Sequence, residues 1–162
     1  MLELIELNVL RAIGDDIKKR DDLTRSYECS NFKFNPCTAL DVETSIIGAL
    51  TNFESSHLIK IDSKEQNLDS FHIKMTRQGF YEYLKYSGGV LEIFKPVGKE
   101  IKNGNKHCTE ISHKTGLKKV VVYTILEEWA AADIINISKK DKLEITKTTP
   151  HGDNFIEALL SV

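Results

Sequence analysis

The stretch "TEISHKTGLKKVVVYTILEEWAAADIINISKKDKLEITKTTPHG", residues 109–152, changes its local pattern three times. Residues 109–115 form a short polar segment typical of a helix, and the glycine that follows permits a tight turn. Residues 118–132 carry apolar side chains at helical spacing. Residues 134–137 and 143–146 alternate as strands do, on either side of a lysine-rich turn. The sequence therefore predicts a short helix, a long helix and a β-hairpin in close succession.

The chain on both sides of this stretch predicts further helices and strands. Ile5, Val9, Ile13 and Ile17 lie four residues apart, which places them on one face of an amphipathic helix. The other predicted elements are a short strand around Phe32 and Phe34, a turn at Asn35 and Pro36, a helix from Asp41 to about His57, strands over 58–61 and 71–75, a helix over 78–85, a helix carrying Leu91 to Ile101 with Pro96 near its first turns, and a closing helix over 153–160.

The order of these elements repeats along the chain. The segment "FESSHLIKID" (53–62) falls on "WAAADIINIS" (129–138) at a shift of 76. At a shift of 73, "MTRQGFYEYL" (75–84) falls within "TTPHGDNFIEALL" (148–160). Aligned pairs include Ile46 with Val122, Phe53 with Trp129, Thr76 with Thr149 and Gly79 with Gly152. The pattern indicates an internal duplication of about 75 residues. We therefore predict an α+β, mainly helical protein with two tandem domains, residues 1–87 and 88–162.

Composition limits the classes of protein to consider. The 162 residues are 41% hydrophobic, enough for the core of one ordinary domain or two small ones. No run approaches the roughly 18 apolar residues of a membrane helix, and the first residues lack a basic leader, so no membrane contact and a cytoplasmic location are expected. Three cysteines without a CxxC pair indicate a reducing compartment.

The net charge of −2 is unevenly distributed. Residues 1–87 hold 11 Lys+Arg against 14 Asp+Glu, a balance of −3, and residues 88–162 hold 11 against 10, a balance of +1. Lysines of the second part also cluster in its helical and hairpin segments, which predicts a local positive field there.

The sequence predicts no catalytic group, metal or cofactor. The five histidines are scattered, and Glu127 and Glu128 are adjacent on a helix, where they point to different faces. Cys29 and Cys37 with His107 and His113 match no known zinc spacing. There is no Gly-rich phosphate loop. We therefore expect a protein that is not an enzyme.

The residues "TEISHKTGL" followed by "VVVYTILEEW", a strand, a basic hairpin and "TTPHG" resemble the winged helix-turn-helix domain of MarR-like and related bacterial and archaeal transcriptional regulators. The resemblance covers nearly all of residues 90–162. It implies that the long helix is a recognition helix that enters the major groove, while the hairpin, or wing, touches the DNA backbone or minor groove.

The resemblance also implies which side chains meet DNA. Lysines at the start of the recognition helix and at the wing tip would neutralise phosphates. Val120, Val121, Tyr123 and Thr124 are predicted to point outward, towards base edges. The candidate DNA-binding residues are Lys114, Lys118, Lys119, Val121, Tyr123, Thr124, Lys139, Lys140 and Lys142.

The first domain departs from the winged-helix pattern. Its short second helix is barely recognisable, because Pro36 interrupts it, and the positions of Lys118 and Lys119 become Val42 and Glu43. A structural or dimerising role fits such a copy better than DNA reading.

Two functions remain open from the sequence. In the first, the protein is a DNA-binding transcriptional regulator, which binds duplex DNA as a homodimer. In the second, the tandem winged helices are a protein-interaction scaffold without DNA binding, with its partner on the first domain. The near-neutral total charge and the acidic first domain favour the second possibility.

Overall fold

The computed structural model describes residues 3–32, 39–63 and 68–162. The protein is α+β and mainly helical, with small antiparallel sheets. The chain divides into two compact units, Met1–Tyr83 and Leu84–Val162. This division falls within the helix Arg77–Ser87, and the predicted boundary after Ser87 lies four residues beyond it, at the end of that helix. Among the described residues, no helix combines the length and apolar character needed to cross a bilayer.

The first unit begins with a long helix and contains a three-stranded sheet. Its elements are α1 (Leu4–Arg20), β1 (Tyr27–Glu28), α2 (Ala39–Ser55), β2 (Ile59–Ser63), β3 (His72–Met75) and α3 (Arg77–Ser87), the last of which runs into the second unit. The strand order is β1-β3-β2, and both pairings are antiparallel. Val9, Leu10, Ile13 and Ile17 of α1 are buried, which confirms the apolar face expected of that helix.

Phe32, the one described residue of the strand predicted around Phe32 and Phe34, lies in no strand. The strand lies earlier, at Tyr27–Glu28, where Tyr27 is buried and pairs with Ile73. A 3₁₀ turn, Cys29–Asn31, separates it from Phe32, whose ring packs against Tyr27 at 5.2 Å between centroids. Phe34, Asn35 and Pro36 lie outside the described residues, so the predictions made for them stay predictions.

The second unit contains four helices and a hairpin. A π-helical turn, Val90–Phe94, leads into α4 (Lys95–Lys102), and then follow α5 (Cys108–Thr115), α6 (Lys119–Ala131), β4 (Ile135–Ser138), β5 (Glu144–Thr148) and α7 (Pro150–Ser161). Strands β4 and β5 are antiparallel, and His107 forms an isolated bridge to Glu144 of β5. Strand β5 thus lies between β4 and the His107 bridge, as β3 lies between β2 and β1 in the first unit.

The core of the second unit is built around α6. Ile111 of α5 and Val122 and Leu126 of α6 are buried. Trp129 is also buried and meets Phe155 of α7 edge to face, with 5.3 Å between the ring centroids. An aromatic pair of this kind adds about 0.5–1.5 kcal/mol to the burial of its surface. These contacts join α5, α6 and α7 into one body.

The hairpin of the second unit is closed at its base by Thr149. The Thr149 hydroxyl donates to the Asp133 carbonyl oxygen at 2.5 Å, and its backbone N–H donates to the Ile134 carbonyl oxygen at 3.0 Å. The same hydroxyl accepts the N–H of Gly152 at 2.9 Å and so caps α7. A side chain at Gly152 would overlap the Ile134 carbonyl, which explains the glycine. We call this arrangement the threonine corner.

The first unit has a threonine corner of the same geometry. The Thr76 hydroxyl donates to the His57 carbonyl oxygen at 2.8 Å, and its N–H donates to the Leu58 carbonyl oxygen at 2.9 Å. Thr76 accepts the N–H of Gly79 at 3.0 Å, and a Cβ at Gly79 would overlap the Leu58 carbonyl. The pairing of Thr76 with Thr149 in the aligned sequences thus corresponds to the same set of hydrogen bonds in both units.

Candidate nucleic-acid interface

The turn between α5 and α6 is held by local hydrogen bonds. Gly116 ends α5 in the left-handed conformation, at φ 72°. The Ser112 hydroxyl donates to the Leu117 carbonyl oxygen at 2.7 Å, and the Leu117 N–H donates to the Thr115 hydroxyl at 3.3 Å. Lys118 then takes an extended conformation and precedes the first turn of α6. These bonds fix where α6 begins relative to α5.

The N-terminal end of α6 is a positively charged surface. Lys118 and Lys119 are exposed, and among the described residues neither lies within ion-pairing distance of a carboxylate. The first turn of α6 contains no acidic residue, and no side chain caps it. The positive end of the helix dipole therefore adds to the lysine charges. Such an end attracts phosphate groups.

The predicted outward orientation of Val120, Val121 and Thr124 is wrong. Val121 and Thr124 are 0% exposed, and Val120 is buried as well. The reason is that α6 packs against both α5 and β4, so most of its circumference is covered. A buried side chain has no access to base edges, which removes Val121 and Thr124 from the candidate interface. Tyr123, at 41% exposure, remains on the open side of the helix.

The hairpin tip carries exposed lysines, but one of them is held by α6. Lys140 and Lys142 are exposed, and no carboxylate of the described residues forms an ion pair with either. Lys139 instead pairs with the carboxylate of Glu127, which is 7% exposed. Strand β4 runs back along α6, and this pair lies where the tip begins. The positive charge of Lys139 is therefore largely balanced within the unit.

Tyr123 belongs to the same cluster. Two main effects raise the pKa of the Tyr123 hydroxyl: the hydrogen bond with Glu127, which is the larger, and burial. The nearby Lys139 charge partly opposes that rise. Glu127 thus contacts both Tyr123, one helical turn earlier, and Lys139 of the hairpin. The sequence contains the helical spacing of Tyr123 and Glu127, but no local signal connects Glu127 to Lys139. Glu127 was not among the predicted site residues.

Lys114 has partners of its own on the opposite side of the turn. Its ammonium group donates to the Asn105 side-chain oxygen at 2.8 Å and lies 3.5 Å from a Glu110 carboxylate oxygen. Asn105 is buried and also donates to Glu100 of α4 at 2.5 Å. Lys114 therefore connects α5 to the end of α4 and contributes less unbalanced charge than Lys118 or Lys119.

The first unit has different residues at the corresponding places. A shift of 76 puts Val42 and Glu43 where Lys118 and Lys119 stand in the second unit. The Glu43 carboxylate accepts the backbone N–H of Leu68 at 3.2 Å, so it has a structural role within its own unit. An acidic group at this position repels phosphate, so the positions of Lys118 and Lys119 carry no positive charge in the first unit.

No cluster of three or more metal-ligating side chains occurs within residues 3–32, 39–63 and 68–162. Cys29 and Cys108 are buried, and burial raises the pKa of the Cys29 thiol to about 12. A thiol with so high a pKa is a poor nucleophile at neutral pH. Cys37, the other cysteine of the imagined zinc set, lies outside the described residues.

Comparisons of this chain with family models, with curated proteins and with solved structures find no match. Function is therefore inferred from the charges and contacts of its own residues. Of the predicted set, Lys118, Lys119, Lys140 and Lys142 are exposed without a carboxylate partner among the described residues, Lys114 and Lys139 are exposed but paired, Tyr123 is partly exposed, and Val121 and Thr124 are buried.

Proposed function

We propose that the second unit is a winged helix-turn-helix domain that binds duplex DNA, and that the protein is a transcriptional regulator. The order of α4, the His107 bridge, α5, α6 and the β4–β5 hairpin supports the winged-helix assignment. In this proposal α6 is the recognition helix and the hairpin is the wing.

The observation that carries the proposal is the placement of unbalanced positive charge. Four exposed lysines without carboxylate partners among the described residues lie on the two elements that a winged helix turns towards DNA: Lys118 and Lys119 on α6, and Lys140 and Lys142 on the wing. Each is able to neutralise a phosphate and release a counterion, which supplies affinity without regard to sequence.

Base reading by α6 is limited in this proposal. With Val121 and Thr124 buried, Tyr123 is the remaining predicted reader, and its hydroxyl is engaged with Glu127. Lys118 and Lys119 are long enough to reach either phosphate or a guanine edge. We therefore expect modest discrimination between DNA sequences, with most of the affinity from backbone contacts.

The first unit serves as the body of the regulator and as the site of homodimer formation in this proposal. Its α1 exposes Leu4, and Glu43 stands where the second unit has a lysine. Pairing of two chains would present two DNA-binding units to two half-sites.

The second candidate function is a protein-interaction scaffold built from two winged-helix units. It is favoured by the pairing of Lys114 and Lys139 with carboxylates of their own unit, which lowers the charge available for DNA. It is also favoured by the exposed apolar side chains of Val90 and Leu91 at the start of the second unit. A partner that covers these residues would bind with little dependence on salt.

A charge-reversal experiment distinguishes the two functions. We expect Lys118→Glu with Lys119→Glu to weaken binding to a random duplex at least about tenfold at low salt, because two phosphate contacts become repulsive. Fluorescence anisotropy at two salt concentrations measures the effect. Lys140→Glu with Lys142→Glu should act in the same direction.

The control is Lys99→Glu with Lys102→Glu on α4, which changes the net charge equally within the same unit. Lys102, unlike Lys118 and Lys119, pairs with a carboxylate, that of Glu157. We expect a much smaller loss of affinity from this pair. Equal losses from both pairs would contradict the assignment of the interface to α6 and the wing. Absence of binding by the unaltered protein at low salt would contradict the regulator proposal and leave the scaffold.

A further inference from the structure

Glu127 is the one buried carboxylate or ammonium side chain among the described residues. A charge removed from water is unfavourable unless an opposite charge and hydrogen bonds accompany it. In this protein the compensation comes from two directions. Lys139 approaches from the wing, and the Tyr123 hydroxyl approaches from the preceding turn of α6.

This cluster links the wing to α6 through side chains, in addition to the packing of β4 on α6. Lys139 immediately follows β4, and its side chain is 53% exposed, whereas the Glu127 side chain is 7% exposed. The Lys139 ammonium group therefore reaches a carboxylate that is largely shielded from solvent, and this ion pair connects the start of the wing tip to α6. A salt bridge with one buried member is disrupted at greater cost than an exposed one, because the remaining charge stays buried.

The first unit provides an internal comparison. The positions that correspond to Tyr123, Glu127 and Lys139 are Ile47, Thr51 and Ser63. The Thr51 hydroxyl donates to the Ile47 carbonyl oxygen of its own helix at 2.8 Å. Neither a carboxylate nor an ammonium group occupies these three positions. In the first unit a different residue of α2, Glu54, contacts the hairpin, and its carboxylate accepts the backbone N–H of Ile61 at 3.1 Å.

We propose that Glu127 is a positioning residue, which fastens Lys139 and the wing to α6 so that wing and recognition helix present a single fixed surface. Lys139 acts in this inference as the anchor of the wing and not as a phosphate ligand. The effect on DNA rests on the proposed function, whereas the fastening itself is a property of the free protein. The two statements are therefore testable separately.

The fastening is tested by amide hydrogen exchange on the full chain without DNA. We expect Glu127→Gln and Lys139→Met each to accelerate exchange at the wing amides, Ile137 and Ile145 among them, by about tenfold or more, because local opening of the hairpin becomes easier. Lys139→Arg keeps the cation and should stay close to the unaltered protein. Amides of β2 and β3 in the first unit serve as the internal reference.

Unchanged wing exchange in Lys139→Met would overturn the inference, and so would a Lys139→Arg variant that behaves like Lys139→Met. Lys139 is half exposed, so its replacement tests the inference even if Glu127→Gln fails to fold. The double variant Glu127→Gln with Lys139→Met should exchange no faster than the faster single variant, because both changes remove one interaction. Additive acceleration would likewise overturn it.

Binding to a random duplex then tests the consequence for DNA. Glu127→Gln removes a negative charge beside the interface, so charge alone predicts tighter binding. Positioning predicts the opposite, a loss of about threefold or more, because a mobile wing must be ordered on binding. Tighter binding would overturn the positioning role. If the unaltered protein does not bind DNA, the proposed function fails while the exchange result still decides the fastening.

Discussion

At the scale of single residues, two glycines are required by backbone contact and not by turn conformation. Gly79 and Gly152 each lie three residues after a capping threonine, where the first turn of a helix touches the carbonyl at the start of a strand. The sequence alignment paired them, but their purpose became clear only from the neighbouring carbonyls of Leu58 and Ile134. The presence of glycine at two aligned positions does not by itself show which neighbouring atoms exclude a side chain there.

Gly152→Ala should destabilise the second unit by about 1–3 kcal/mol, because the added methyl forces α7 away from β4. Urea unfolding followed by the fluorescence of Trp129, the single tryptophan, measures the loss in this unit. Gly48→Ala is the control, because a Cβ there meets open space in the middle of α2 in the first unit and should leave the Trp129 transition unchanged. An unchanged Trp129 transition in Gly152→Ala would show that the corner tolerates a side chain.

At the scale of elements, periodicity predicted the helices and the hairpins, but not which side of α6 is open. Three consecutive valines, Val120 to Val122, give no amphipathic stripe, since a helix covered on most sides has apolar residues all round. The orientation of Val121 and Thr124 is decided by packing against α5 and β4, which the sequence does not specify. The contact of Lys139 with Glu127 is hidden for the same reason.

Strand β1 was not predicted because it has only two residues. Its buried Tyr27 and the neighbouring Cys29 predict how the stability of the first unit changes at alkaline pH. Burial raises the pKa values of Tyr27 and Cys29 to about 12 from 10.0 and 9.0. Groups with raised pKa values hold their protons more tightly in the folded state, so their stabilisation is complete below pH 9 and is lost as the pH rises towards 12. The stability of the first unit should therefore fall across this window.

Tyr27→Phe should make that fall shallower, because one of the two titrating groups is gone. Urea unfolding at pH 8 and pH 11, followed by the NMR signals of Ile73 beside β1, measures the difference. Tyr86→Phe removes the hydroxyl of an exposed ring and is the control for the substitution itself. Equal alkaline losses in Tyr27→Phe and in the unaltered protein would show that Tyr27 does not contribute.

At the scale of the whole molecule, a net charge of −2 conceals an uneven distribution. Aggregate charge says little about a partner when, of the six candidate lysines, two are balanced by carboxylates of their own unit and four are not. The charge split between the two parts of the chain was visible in the sequence. Which lysines are balanced was not, because that depends on distances between side chains.

With four lysines available, the logarithm of DNA affinity should fall against the logarithm of salt concentration with a slope of about −3.6. A titration of one duplex across several salt concentrations gives this slope. Lys140→Gln should reduce its magnitude by about 0.9, whereas Lys99→Gln on α4 should leave it unchanged. A slope near zero would contradict phosphate binding by this surface.

The threonine corner has a consequence for how the hairpins tolerate change. Thr76 bonds to a carbonyl 18 residues earlier and Thr149 to one 15 residues earlier, yet both corners have the same hydrogen bonds. The threonine corner therefore forms with the same hydrogen bonds whether the hairpin is longer or shorter. Insertions or deletions at a tip should leave the following helix in register, which makes each tip a natural place to graft a foreign loop.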